Sequence, residues 1–227
     1  YEQKSYEDRV TVASLINDRD VDLAQLTLSG DARDSRFGGG VTSFEFSLAQ
    51  GDVEYNTQRP AGLDDSDDFL KFNYGLVRLN NLIKNRLLLL SSLRGQRSYQ
   101  NLDISEQCRI GGADQVRAFS AGEGTGDTCM VASAELRYVV PKTWLGDLPG
   151  DMTIGPFYDY GRVTRRTDPS AQAVGFVNKA VLSGYGVGVN WEKVGDVQLR
   201  LSLAWKDDGT EVVDTKPESP RVFFTAT

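Results

Sequence analysis

Few residues in this chain of 227 amino acids could carry chemistry, and their types exclude most catalytic sites. Histidine is absent, which excludes Ser-His-Asp and Cys-His nucleophilic sites, histidine zinc ligation and imidazole acid–base catalysis. No pair of carboxylates has a sequence context that supports acid–base catalysis. We therefore expect no enzymatic activity, no metal site and no cofactor.

Two sequence motifs resemble ligand sites, and both have simpler interpretations. Residues 122–127 read GEGTGD, which is similar to a phosphate-binding loop but lacks the Gly-Lys-Ser/Thr end and a following helix. A run of four aspartates could attract calcium, although the spacing and the closing glutamate of an EF-hand are missing: Asp64, Asp65, Asp67 and Asp68. We expect an ordinary glycine-rich loop and a solvated acidic loop, and we interpret Arg165 and Arg166 as surface charge.

The overall composition limits the choice of partners. With 25 basic and 32 acidic residues the net charge is -7, and no dense basic stripe is present, so nucleic-acid binding is not expected. Mean hydropathy is -0.36, as in soluble proteins. No stretch approaches the roughly 18 apolar residues of a membrane helix, and the first ten residues contain no signal-peptide core.

Alternation of apolar and polar residues is the main signal for secondary structure. Ten strands are predicted, near residues 7–16, 21–29, 41–50, 69–79, 86–95, 131–140, 152–161, 181–191, 197–206 and 221–227. Most are about ten residues long, whereas soluble strands average about 5–6 and tilted membrane strands need about 9–11. Short and long connections also alternate, apart from residues 141–151. These features favour an all-β, antiparallel transmembrane barrel, with a soluble β-sandwich as the alternative.

A family resemblance emerges at residues 95–138. SEQ at 105–107 and GG at 111–112 precede VRAF, which stands where the family has VRGF; GD at 126–127 leads into a strand reading AELRY. Further on come FYDYG at 157–161 and LSGYGVGVNW at 182–191. In this order the motifs resemble the two-partner secretion transporters of the haemolysin secretion/activation family, in the superfamily of barrel-assembly proteins.

The resemblance implies a sixteen-stranded barrel in the bacterial outer membrane, preceded by a pair of periplasmic POTRA domains. Residues 1–227 would form the C-terminal ten strands of that single barrel domain, and the first strands and the POTRA domains would lie outside this sequence. The implied activity is export of a haemolysin- or adhesin-type exoprotein by a monomeric barrel in contact with lipid and lipopolysaccharide. Alternatives are a barrel-assembly factor of the same superfamily and a passive porin.

The resemblance also implies a site inside the barrel. The loop of residues 96–130 would fold into the lumen and place Arg117, within Val116, Arg117, Ala118 and Phe119, against Asp159. A guanidinium can hold a carboxylate through two parallel hydrogen bonds. The loop would rest on an inward-facing surface that is formed by two strands: Phe157, Asp159, Gly161, Gly184, Gly186 and Gly188. If Ala118 needs the positive φ that glycine adopts, it costs roughly 1 kcal/mol.

The two cysteines flank this loop sequence at positions where the family usually has none. Cys108 precedes GG and Cys129 follows GD. The periplasm is oxidising, so in an exported chain we favour a disulfide over two free thiols. Closing a loop of about 20 residues would stabilise the fold by roughly 3 kcal/mol.

Overall fold

One sheet of ten antiparallel strands dominates the computed structural model, which describes residues 2–10, 15–56, 64–193, 195, 197–207 and 220–227. The sheet strands are β1 (Glu2–Val10), β2 (Leu15–Asp34), β3 (Gly40–Tyr55), β4 (Asp68–Ile83), β5 (Leu87–Ser98), β8 (Thr128–Val139), β9 (Asp151–Thr164), β10 (Lys179–Lys193), β11 (Val197–Lys206) and β12 (Arg221–Ala226). Each strand pairs with its neighbour in this order. The strands β6 (Cys108–Arg109) and β7 (Thr125–Gly126) form a separate two-stranded ladder between β5 and β8.

The sheet confirms the prediction of an all-β, antiparallel fold, and the lengths of its strands suit a membrane barrel. Eight of the ten sheet strands have ten or more residues, and β2 has 20, which exceeds the roughly 9–11 residues that a tilted membrane strand needs. The only helices in the described residues are a 3-10 turn at Arg36–Gly38 and the four-residue α1 (Lys142–Leu145). No helix in the described ranges is long and apolar enough to cross a bilayer.

The two faces of the sheet differ sharply in burial. Along β9 and β10, buried and exposed residues alternate, because successive side chains of a strand point to opposite faces. Large apolar side chains are exposed on the outer face, among them Leu26, Leu28, Ile154, Tyr185 and Phe224. We call the opposite face, against which residues 99–127 pack, the inner face.

The first predicted strand is wrong in its bounds. Residues 7–16 run from the end of β1 to the start of β2, and the intervening residues 11–14 lie outside the described part of the chain. The alternation that we took for one strand includes Val10 and Leu15, the last and first residues of two paired strands. The predicted long loop is also shorter than 96–130, because β5 continues to Ser98 and β8 begins at Thr128.

Apart from residues 11–14, which lie outside the described part of the chain, short and long connections lie at opposite ends of the sheet. Residues 35–39, 84–86, 140–150 and 194–196 join strands at one end, and the longer stretches 56–67, 99–127, 165–178 and 207–220 join them at the other. Asn85 (φ 58°) and Gly195 (φ 84°) provide the positive φ of two short turns. The exceptional stretch 140–150 contains α1.

The hydrophobic core forms between the sheet and the segment 99–127, which we call the inner loop. The larger buried cluster joins four loop residues, Ile110, Val116, Ala118 and Phe119, to side chains of β8, β9, β10 and β11. A second cluster places Leu102 among residues of β2, β3 and β4. The inner loop therefore supplies the packing that fills this face of the sheet.

Candidate functional site

The central contact of the inner face joins Arg117 on the inner loop to Asp159 on β9. Arg117 Nε lies 2.8 Å from Asp159 Oδ2, and Arg117 Nη2 lies 2.9 Å from Asp159 Oδ1. The backbone N–H of Arg117 also donates to Asp159 Oδ2, at 3.1 Å. The carboxylate thus accepts the two parallel hydrogen bonds that a guanidinium can offer, together with one from the loop backbone. We call this contact the Arg117–Asp159 pair.

A second carboxylate completes the coordination of Arg117. Nη1 donates to Glu135 Oε2 at 2.8 Å, and the Ser133 hydroxyl donates to Asp159 Oδ1 at 2.6 Å. Arg137 donates to the other oxygen of Glu135 at 2.7 Å. We call the inner face of the sheet the wall. Two buried carboxylates on the wall therefore face two arginines, and the opposite charges balance where an isolated buried ion would be costly.

The sequence reasoning missed Glu135 and Ser133 as partners of Arg117. Ser133, Glu135 and Arg137 alternate with apolar residues in the sequence of β8, which predicts that they share one face of the strand, and in the structure Ser133 and Glu135 lie on the inner face. That shared face was the available signal. Pairing of Ser133 with Asp159 across β8 and β9 then brings Glu135 within reach of the same guanidinium.

The aromatic ring of Phe157 packs against one face of the Arg117 guanidinium. The Arg117 Cζ atom lies 3.3 Å from the ring centroid of Phe157, a cation–π contact. Burial opposes the charge on Arg117, but its hydrogen bonds and attraction to Asp159, and those to Glu135, outweigh burial, so the pKa of Arg117 lies above its ordinary value. The arginine is thus a permanent cation held between a ring and two carboxylates.

Glycines on the wall create the space that the inner loop occupies. A Cβ at Gly184 would lie 2.5 Å from the Cβ of Ala118, and one at Gly161 would lie 2.9 Å from a Val116 methyl. A Cβ at Gly186 would overlap the Phe157 ring, whereas one at Gly188 would make only ordinary contacts. Gly161 and Gly184 thus receive the loop, and Gly186 receives the ring that supports Arg117.

Ala118 does not carry the backbone strain that its replacement of glycine could have caused. Among the described residues, only Phe37 and Asn85 combine a side chain with positive φ. Ala118 is 1% exposed, and its methyl group packs in the buried cluster with Phe119. The alanine therefore fits the turn, and its side chain fills space beside Gly184.

A disulfide joins Cys108 of the inner loop to Cys129 of β8. The bridge divides the inner loop into residues 99–107 and a ring closed around residues 109–128. Arg117 lies within that ring, whereas its partner Asp159 lies outside it on β9. The bridge therefore attaches the start of the ring, at Cys108, to β8, the strand in which the ring ends.

Comparison with known proteins follows the same motifs. The family described as "Haemolysin secretion/activation protein ShlB/FhaC/HecB" matches residues 8–191, which is most of the chain. The chain belongs to the haemolysin secretion/activation family. Members of this family are non-enzymatic proteins that reside in the bacterial outer membrane.

A solved structure shows the same fold. CdiB from Escherichia coli matches with a TM-score of 0.53 at 15% sequence identity, over 99% of this chain and 49% of that chain. The chain thus spans about half the length of the structure that it matches, as a partial barrel. No curated protein matches the sequence.

In this member of the haemolysin secretion/activation family, a second set of ion pairs holds residues 99–107. Arg19 of β2 lies 3.0 Å from Asp103, and both side chains are 3% exposed. Lys71 of β4 lies 2.7 Å from Glu106 Oε2 and also donates to its backbone carbonyl. Here the wall supplies the cations and the loop supplies the carboxylates.

The contacts of Arg166 correct our predictions that the acidic run is a solvated loop and that Arg166 is surface charge. Its Nη1 lies 2.5 Å from Asp65 Oδ1 and 3.0 Å from the Leu102 carbonyl, and Asp64 and Asp127 are also nearby. Asp65 is 7% exposed and Asp127 is fully buried. Sequence alone could not show this, because the carboxylates and the arginine lie on three different connections that meet only in the fold.

Burial is the main influence on the pKa of two carboxyl groups around Arg166, those of Asp127 and Asp65. Burial raises the pKa of Asp127, although hydrogen bonds from the Thr167 N–H, the Gln107 amide and the Leu102 N–H act in the opposite direction. Burial likewise raises the pKa of Asp65 against the attraction of Arg166. No three acidic or cysteine side chains of the described residues are arranged to hold a metal ion.

Proposed function

We propose that the full-length parent of this chain transports a partner exoprotein of the haemolysin or adhesin type across the outer membrane. Membership of the haemolysin secretion/activation family supports this function. Residues 1–227 would be the C-terminal ten strands of a sixteen-stranded, monomeric barrel, with POTRA domains preceding it. The outer face would contact lipid, and the long connections would face lipopolysaccharide and the exterior.

The role that we assign to the Arg117–Asp159 pair is to hold the inner loop in its transport-competent position. The observation that carries this role is the triple contact of Arg117 with Asp159 through Nε, Nη2 and the backbone N–H. Asp159 is fully buried within β9, and the side chain of Arg117 is largely buried. The pair therefore acts as a lock between loop and wall and performs no bond chemistry.

The decisive experiment measures export by the full-length parent. It is expressed with the exoprotein encoded beside it, and the exoprotein in the medium is quantified at matched membrane levels of transporter. Wild type is expected to export, and Arg117→Ala is expected to lose most export, because Asp159 and Glu135 lose their shared cation. Breaking a buried pair in this way costs about 3–5 kcal/mol.

Arg109→Ala is the matched control for this test. Arg109 lies in the same loop, is exposed, and makes no ion pair among the described residues, so export is expected to persist. Equal loss with both variants would assign the effect to the loop in general and contradict the lock. No export by wild type, together with depletion of other outer-membrane barrels in its absence, would favour the assembly-factor alternative.

A further inference from the structure

A cavity of about 140 Å³ on the inner face adjoins the Arg117–Asp159 pair on the side of the short connections. Arg94 of β5 and Arg200 of β11 line it, with three sheet strands between them. Arg94 is paired across the strands with Val131, and Arg200 with Asn190. Both partners belong to the inner face, so both arginines face the cavity.

The charges in this cavity do not cancel. Glu135 and Asp159 neutralise Arg117 and Arg137. Arg94 and Arg200 are exposed, and neither makes an ion pair within the described residues. Asp114, also exposed, is the one further carboxylate in the lining. The cavity therefore holds two uncommitted guanidinium groups against one uncommitted carboxylate.

Apolar side chains accompany the two free arginines. Leu90 and Phe223 line the same cavity, and neither is fully buried. An inorganic anion would use the arginines but gain nothing from the leucine and the phenylalanine. A peptide segment can use both, because its carboxylates can pair with arginine while its backbone and aliphatic groups cover apolar surface.

We propose that this cavity is a binding site for acidic peptide segments, with Arg94 and Arg200 as its recognition residues. The proposal rests on the transport function proposed above, since an exported chain is the polypeptide that would pass this wall. It names the chemistry that the wall selects, namely aspartate- or glutamate-rich stretches. Asp114 opposes such binding by like-charge repulsion.

The test is direct binding to the full-length parent in detergent, independent of export. A fluorescent octaglutamate peptide is titrated at low salt, where charge attraction is least screened, and its anisotropy is compared with that of octalysine. Wild type is expected to bind octaglutamate more tightly than octalysine. The double variant Arg94→Glu/Arg200→Glu is expected to weaken octaglutamate binding by about tenfold or more, and Asp114→Asn is expected to strengthen it by about threefold.

Arg97→Glu is the control, because Arg97 lies on the same strand as Arg94 but pairs with Phe72 on the outer face. It is expected to leave octaglutamate affinity unchanged, and heat-modifiable migration on gels verifies that each variant retains its barrel. Equal binding of the two peptides to wild type, or undiminished binding to the double variant, would overturn the proposal. Export measured in parallel separates this result from the transport function: export without octaglutamate selectivity contradicts the site alone.

Discussion

The inner loop is held by ion pairs of opposite arrangement at two places, which we call its first end (residues 99–107) and its tip (residues 116–119). At residues 99–107 the loop contributes Asp103 and Glu106, and the wall contributes Arg19 and Lys71. At the tip the loop contributes a single cation, Arg117, and the wall contributes two carboxylates, Asp159 and Glu135. A loop turned end for end would therefore place like charges together at both places. The opposite arrangement fixes the direction in which the loop lies across the wall.

The first end and the tip also differ in whether their ion pairs are separate or share one side chain. The first end uses separate pairs on different strands, so losing one leaves the other. The tip concentrates its polar contacts on one guanidinium, which lies over the Phe157 ring, while Gly161 and Gly184 receive the neighbouring Val116 and Ala118. We expect the tip to release as a unit and the first end to loosen in steps.

The largest effect is expected from Asp159→Ala. The variant leaves Arg117 buried with one carboxylate fewer, at a cost of about 3–5 kcal/mol, so amide hydrogen exchange at residues 116–119 should accelerate about a hundredfold or more. The measurement uses the full-length parent in detergent. Asp151→Ala on the same strand is the control. Asp151 pairs with Lys142, the side chains are 68% and 62% exposed respectively, and such surface pairs contribute about 0–1 kcal/mol. Similar exchange in both variants would contradict a concentrated lock.

A smaller effect is expected from Lys71→Met at the other end. Glu106 loses its shortest partner but keeps Lys4 at 3.4 Å, so the expected cost is about 1–3 kcal/mol. Exchange should accelerate at residues 103–107 and stay unchanged at 116–119, because the disulfide at Cys108 separates the two segments. Acceleration at both segments would show that the two ends open together and that our distinction between them is wrong.

The sequence predicted some of these features and not others, for physical reasons. β9 and β10 were predictable because each alternates along much of its length, with Asp159 and Gly184 on the face opposite the exposed tyrosines Tyr158 and Tyr185. β1 was misplaced because its residues are almost all polar, so nothing in it alternates. Arg166 is largely buried because three connections meet around it, and their positions in the sequence do not show that they meet.

The smallest effect tests the fit between the loop tip and the glycine strand. In Gly184→Ala the new methyl would lie 2.5 Å from the Ala118 Cβ and 2.9 Å from the Trp205 carbonyl oxygen, whereas in Gly188→Ala the nearest atom is 3.8 Å away. We expect Gly184→Ala to cost about 1–2 kcal/mol by overpacking and Gly188→Ala to be tolerated, with both measured by exchange at residues 116–119.

Adding Ala118→Gly identifies the source of that cost. The second change removes the methyl group that the new alanine would meet, so Ala118→Gly/Gly184→Ala should recover part of the lost protection, and the Trp205 contact should account for the remainder. Recovery would mean that one methyl group fits between loop and wall here and that either side can supply it. The alanine in VRAF would then be the partner of Gly184. No recovery would place the strain within β10 and β11, and Ala118 would be independent of the glycine opposite it.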